Sequence, residues 1–111
     1  MKSEDIRKIV EAQIGTAWDT TNLHGVDLRK SLVKPERIQL IARNVKDGEL
    51  EDKPMEVWIV LIEDPETQTG YRIVANDDGS EFGLASEGFK EDKHPVFIGW
   101  YGDFLTTYEA M

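Results

Sequence analysis

The chain has no cysteine, so disulfides, thiolate catalysis and thiolate metal sites are excluded outright, and a reducing compartment suits it. It also has no apolar run approaching the roughly 20 residues that cross a bilayer. The opening Met1-Lys2-Ser3-Glu4-Asp5 has none of the apolar stretch of a secretory signal, so the expectation is a cytoplasmic protein with no membrane partner. Histidine is scarce: His24 and His94 are the only imidazoles. No glycine-rich phosphate cradle is present, and the basic side chains form only a short group. Binding to a nucleic-acid backbone, which demands a basic stripe, is therefore not expected.

The 111 residues, 40% hydrophobic and 32% charged, supply enough apolar material for one modest core and too much for a wholly disordered chain. Residues 1–111 are read as a single globular, soluble domain. The formal net charge of −9 is unevenly spread. Residues 1–45 carry eight basic and six acidic side chains, net +2, whereas the remaining 66 carry five basic and sixteen acidic, net −11. Such a distribution keeps the protein soluble and lets its halves attract one another, and it also offers a surface to a cationic partner.

Periodicity organises the chain. Ser3 is a good N-cap, and Ile6, Ile9, Val10 and Ile14 recur at helical spacing, which predicts a helix over Glu4–Ile14 stopped by Gly15. Residues 16–25 read as an irregular connection from which Trp18 folds back onto the core. Val26–Val33 reads as a short helix or turn, ended by Pro35. From Arg37 the period changes to two, with Ile38, Leu40 and Ala42 alternating in a first strand. The charged stretch Asn44–Pro54 reads as an exposed hairpin connection, the most mobile loop of the chain. Met55–Ile62 is the most apolar segment and the natural central strand, covered on both faces. Further strands follow at Tyr71–Ala75, Glu81–Ala85 and Pro95–Trp100, and Asp103 is placed to cap a closing helix with Phe104, Leu105 and Tyr108 on one face.

The pattern predicts an α+β fold: a single antiparallel sheet of four to five strands in a meander, with the N-terminal and C-terminal helices packed on one face. An all-β barrel with peripheral helices is the runner-up.

Candidate sites compete with plain structural roles. Asn76-Asp77-Asp78-Gly79-Ser80-Glu81 is rich in oxygen ligands, but an EF-hand register would place ligands on Val74 and Ala85, so a tight hairpin is the better reading. Gly79-Ser80-Glu81-Phe82-Gly83 lacks the spacing of a nucleophile elbow. Arg29, Lys30, Lys34 and Arg37 either bind an anion or pair with the acidic second half. Phe97-Ile98-Gly99-Trp100-Tyr101-Gly102-Asp103-Phe104 is dense in large apolar side chains. Strict alternation would send Phe97 and Gly99 to one face, Ile98 and Trp100 to the other.

No catalytic, metal or cofactor site emerges. The leading expectation is a non-enzymatic protein-binding module, immunity-like or regulatory in kind, meeting a basic protein partner through Trp100, Tyr101, Asp103, Asp77 and Asp78. The alternatives are a small-ligand-binding or hydrolytic enzyme using His24 or His94 with nearby acids, and a self-associating subunit that forms a homodimer through Val96–Phe104.

Overall fold

In the computed structural model, which describes residues 1–111, the apolar run Met55–Ile62 lies inside the longest strand, β2 (Glu49–Asp64). β2 pairs antiparallel with β1 (Leu32–Lys46) on one side and with β3 (Thr69–Ala75) on the other. The ladder continues through β4 (Phe82–Ser86) to β5 (Val96–Gly102). β5 then meets β1 in parallel at Ile41 and Val96, where the Ile41 N–H donates to the Pro95 carbonyl at 2.9 Å. The fold is α+β with five strands, but the sheet closes into a barrel, correcting the open meander expected from periodicity. The physical cause is coiling. Register shifts interrupt the pairing of β1 with β2, β2 with β3 and β4 with β5, and each one bends and twists the strands.

Two apolar clusters explain why β2 is so hydrophobic. Leu40, Val57, Val74 and Ala85, joined by Ile38, Met55 and Phe97, draw on all five strands and fill the barrel interior. The larger cluster lies on the outer face of β2, β3 and β4. There Trp58, Val60, Leu61, Ile73, Ala75, Phe82 and Leu84 meet Ile6, Val10 and Ile14 of α1 (Ser3–Ile14) and Phe104 and Tyr108 of α3 (Phe104–Ala110). The irregularity between Ile59 and Leu61 places the successive residues Val60 and Leu61 in the same cluster, which strict alternation forbids.

The connection between α1 and β1 holds the single helical turn α2 (Leu28–Ser31) and is fastened from inside. Asn22 is buried, donates through Nδ2 to the Tyr108 carbonyl at 3.0 Å, and accepts from the backbone N–H groups of His24 and Val26. The Tyr108 hydroxyl reaches the carbonyls of Val26 and Thr20 in return. Trp18 is partly buried against the larger cluster, with the guanidinium groups of Arg7 and Arg29 over its ring.

Three local expectations are corrected. Asn44–Pro54 is an exposed hairpin but not a long loop: it is paired strand on either side of Asp47 and Gly48, whose positive φ of 52° and 78° form a two-residue turn matched to strand twist. Pro35 does not precede the first strand but lies within β1, at the register shift between Leu32 and Glu36 where a missing N–H does no harm. Lys2, not Ser3, is the N-cap of α1, and the Ser3 hydroxyl donates to the Pro35 carbonyl instead.

Candidate functional site

The end of β5 decides which aromatic side chains reach solvent. β4 pairs Leu84 with Gly99 and Ala85 with Phe97, which leaves Ile98 as an extra residue in β5. That bulge cancels strict alternation. Phe97 and Trp100 therefore share a face, with ring centroids 4.9 Å apart, and both rings abut Gly83. Trp100 is 37% exposed, at the edge of this packed pair. Ile98 and Tyr101 turn instead to the outside, 46% and 39% exposed, and line a cavity of about 310 Å³ with Tyr71, Leu84, Val26 and Met111. His24 and Glu63 supply its polar rim.

The three acids singled out beside these aromatics have structural employment. Asp103 caps α3, accepting from the Thr106 N–H at 2.8 Å, and the hydrogen bonds from Thr106 hold its carboxyl below the usual carboxylate range. Asp77 accepts from Arg37 Nη1 at 2.7 Å, and its carbonyl accepts from Trp58 Nε1. Asp78 accepts from the Ser80 N–H at 3.0 Å, and hydrogen bonds from the Ser80 side chain and backbone lower its pKa. Asp77 and Asp78 belong to the tight β3–β4 turn, where Gly79 has φ of 71° and packs against Ile9 and Ile6 of α1. Tyr101 is thus the one of the five candidates that lines the apolar cavity.

Directly beside it lies a second, more polar cavity of about 630 Å³ that shares His24, Val26 and Glu63. Asp27, Asp64 and Glu66 add to Glu63 there, opposed by Lys30 alone. None of these four acids is within ion-pair distance of a cation. Glu63 and Asp64 accept from the N–H groups of Tyr71 and Thr67, and Asp27 accepts from that of Lys30, so three of the four carboxylates are oriented by backbone N–H groups. Sequence reasoning missed this group. Glu63-Asp64-Pro65-Glu66 is legible as an acidic cluster, but its approach to His24 and Asp27 is a product of the fold.

Other acids, Asp52 and Asp92 among them, are paired with arginine. Arg43 is the centre of a network in which Nε and Nη2 donate to Asp52 at 2.7 and 2.9 Å while Nη1 and Nη2 donate to Asp92 at 3.2 and 2.8 Å. The guanidinium raises its own pKa through these bonds and depresses those of Asp52 and Asp92. Arg43 also lies over the Phe89 ring and, through Asp92, pins the β4–β5 connection to the β1–β2 hairpin. In the basic group, Arg37 pairs with Glu56 and Asp77 of the acidic half, while Arg29 pairs with Asp19.

The two histidines are exposed and line separate cavities: His24 the pair just described, His94 one formed by the β4–β5 connection. Nowhere do three or more histidine or carboxylate side chains converge as metal ligands, and no helix is long and apolar enough to cross a membrane. No known protein family, curated protein or solved structure gives a significant match to the chain.

Proposed function

We propose that the protein is a non-enzymatic protein-binding module, and that its partner presents a cationic segment carrying an apolar anchor side chain. One observation carries this reading: the apolar cavity around Tyr71, Ile98 and Tyr101 is continuous with four carboxylates that have no cation of their own. Large, half-exposed aromatic side chains are the groups that most often dominate binding energy, because they bury much area with few rotatable bonds. Unpaired carboxylates beside them steer a basic partner and fix its orientation. The net charge of −9 extends that field over the whole surface. A cytoplasmic setting, in an immunity-like or regulatory role, agrees with a cysteine-free chain.

The test is a panel of peptides that place Lys or Arg on either side of a Leu or Phe, measured by fluorescence anisotropy at low and high salt. The expected result is saturable binding that weakens as salt rises. Tyr101→Ala should cost roughly 2 kcal/mol, about thirtyfold in affinity, the size of an anchor residue. A Glu63→Gln, Glu66→Gln double variant should flatten the salt dependence while leaving the fold intact. Equal binding by parent and Tyr101→Ala refutes the anchor. Binding that ignores salt refutes the acidic rim, and a stable dimer in sedimentation that buries Tyr101 makes the partner a second copy of this chain.

A further inference from the structure

The protein contains five arginines. Arg7, Arg29, Arg37 and Arg43 each lie within ion-pair distance of a carboxylate. Arg72 is the fifth and the most buried, only 9% exposed, and it alone has no carboxylate, in a chain with 22 acidic residues to choose from. Its Nη1 donates to the Gly70 carbonyl at 2.5 Å and its Nη2 to the Gln68 carbonyl at 2.7 Å. Carbonyl dipoles satisfy hydrogen bonds without supplying a counter-charge, and a desolvated cation without an anion is costly. They also engage two of the five N–H donors of the guanidinium. No fully enclosed side-chain nitrogen or oxygen of the protein lacks a partner, so Arg72 Nε, which makes no hydrogen bond within the chain, is not completely enclosed.

Arg72 forms one wall of a cavity of about 310 Å³ under the β4–β5 connection. Lys90, Lys93 and His94 form part of the others, and neither lysine has an ion-pair partner. Of the two carboxylates at the cavity, Asp92 is turned to Arg43 with both oxygens engaged, which leaves Glu87 against three cations. The pocket is held by contacts an incoming ligand need not disturb. Arg43 anchors Asp92, and Gly88 lets the chain pass so close that an added Cβ would stand 2.4 Å from Asp92 Oδ2.

We propose that this cavity binds a small phosphate-bearing molecule, with Arg72 as the buried counter-ion and Lys90 and Lys93 closing over the anion. A fixed guanidinium edge and two flexible ammonium groups match a doubly charged oxyanion, whose several oxygens accept from different directions at once. The cavity volume falls at the lower end of the range of small-ligand sites, so the phosphate has room for a small organic group and no more. The site is separate from the Tyr101 surface and stands whether or not that surface binds a protein.

The experiment is an NMR titration of the labelled full chain with inorganic phosphate and, in parallel, with phenyl phosphate, at constant ionic strength set by sodium chloride. The expected result is saturable shifts of the Arg72 Nε–H and of the Gly88, Phe89 and His94 amides. Tighter binding of inorganic phosphate identifies the free anion as the ligand; tighter binding of phenyl phosphate identifies an esterified one. Lys90→Ala and Lys93→Ala should each weaken binding roughly tenfold, as removal of one charge-assisted contact does. Arg72→Gln should abolish it. The lysine variants alter exposed side chains only, so they report on the site even if Arg72→Gln unfolds the protein. Shifts that rise linearly without saturation, or that match those of chloride alone, overturn the proposal, as does unchanged affinity in both lysine variants.

Discussion

Replacing Gly83 by Ala tests the barrel closure directly. Gly83 sits in β4 between Val74 of β3 and Trp100 of β5. An added Cβ would stand 2.5 Å from the Gly99 carbonyl oxygen, 2.9 Å from the Trp100 ring and 3.0 Å from the Phe97 ring. Carbon and oxygen ordinarily approach no closer than about 3.3 Å, so β4 and β5 must part by roughly 0.8 Å. The obstacle is backbone in a bulged pair, which no rotamer change relieves. Overpacking of this kind costs about 1–3 kcal/mol, offset by about 0.4–1 kcal/mol from a stiffer unfolded chain, so the net expectation is a loss of about 1.3 kcal/mol. In a domain of this size that lowers Tm by roughly 5–10 °C. Thermal and urea unfolding followed by circular dichroism measure the loss, and the near-ultraviolet spectrum should report the displaced Phe97–Trp100 pair. Gly99→Ala is the control, since a Cβ there meets nothing within 4 Å, and its stability should move by no more than about 0.5 kcal/mol. A Gly83→Ala protein that melts within about 2 °C of the parent, or a Gly99→Ala protein that falls equally far, refutes the packing account of closure.

Asp103→Ala removes the cap of α3 and should cost about 1 kcal/mol at neutral pH in urea unfolding. Because hydrogen bonds from Thr106 depress the folded pKa of Asp103, that difference is full above the unfolded value, about 4, and vanishes as pH falls through the folded one. Asp52, Asp78 and Asp92 are depressed likewise, so the Tm of the parent should drop on acidification below about pH 4; a flat profile from about pH 6 to pH 3 contradicts the ion-pair and capping geometry. At the other extreme, burial pushes the Tyr108 phenol up from its ordinary value, so its neutral form stabilises the fold below about pH 10 and that contribution is lost as pH rises through the folded pKa. Tyr108→Phe should lose roughly 0.5–1.5 kcal/mol at neutral pH, the net worth of the hydroxyl's bonds to the Val26 and Thr20 carbonyls, which keep their backbone N–H partners, and should abolish part of the alkaline decline; an unchanged alkaline profile refutes the assignment.

The elements legible in the sequence were those whose signal is local. Ile6, Val10 and Ile14 sit at helical spacing and are buried in α1, and Gly15 ends that helix with a positive φ, as its position implied. The central place of Met55–Ile62 follows from its composition, and the Asp78-Gly79 turn and the Asp103 cap follow from side chains that bond their own backbone neighbours. The exposed hairpin over Asn44–Pro54 is legible as such, but its charges suggest a long loop where Asp47-Gly48 and the facing pair Val45 and Leu50 mark two paired strands.

The candidate site was legible in kind and not in place. Aromatic side chains at the end of β5 and a surplus of acid are visible from the chain alone, yet the residues named with them divide between a packed ring pair, a turn and a helix cap. Two slips in the β4–β5 register, at Ile98 and at Tyr101, put Trp100 against Phe97 and leave Ile98 and Tyr101 lining the apolar cavity. Residues a few positions apart dictate the α+β character, the apolar strand and most of the helix and turn signals, and composition alone makes the chain acidic and cysteine-free. Barrel closure, the union of Glu63, Asp64 and Glu66 with His24 and Asp27, and an Arg72 with no carboxylate were decided only by the tertiary structure. Each depends on which distant strands and loops come together and where their registers slip, and no local period encodes that.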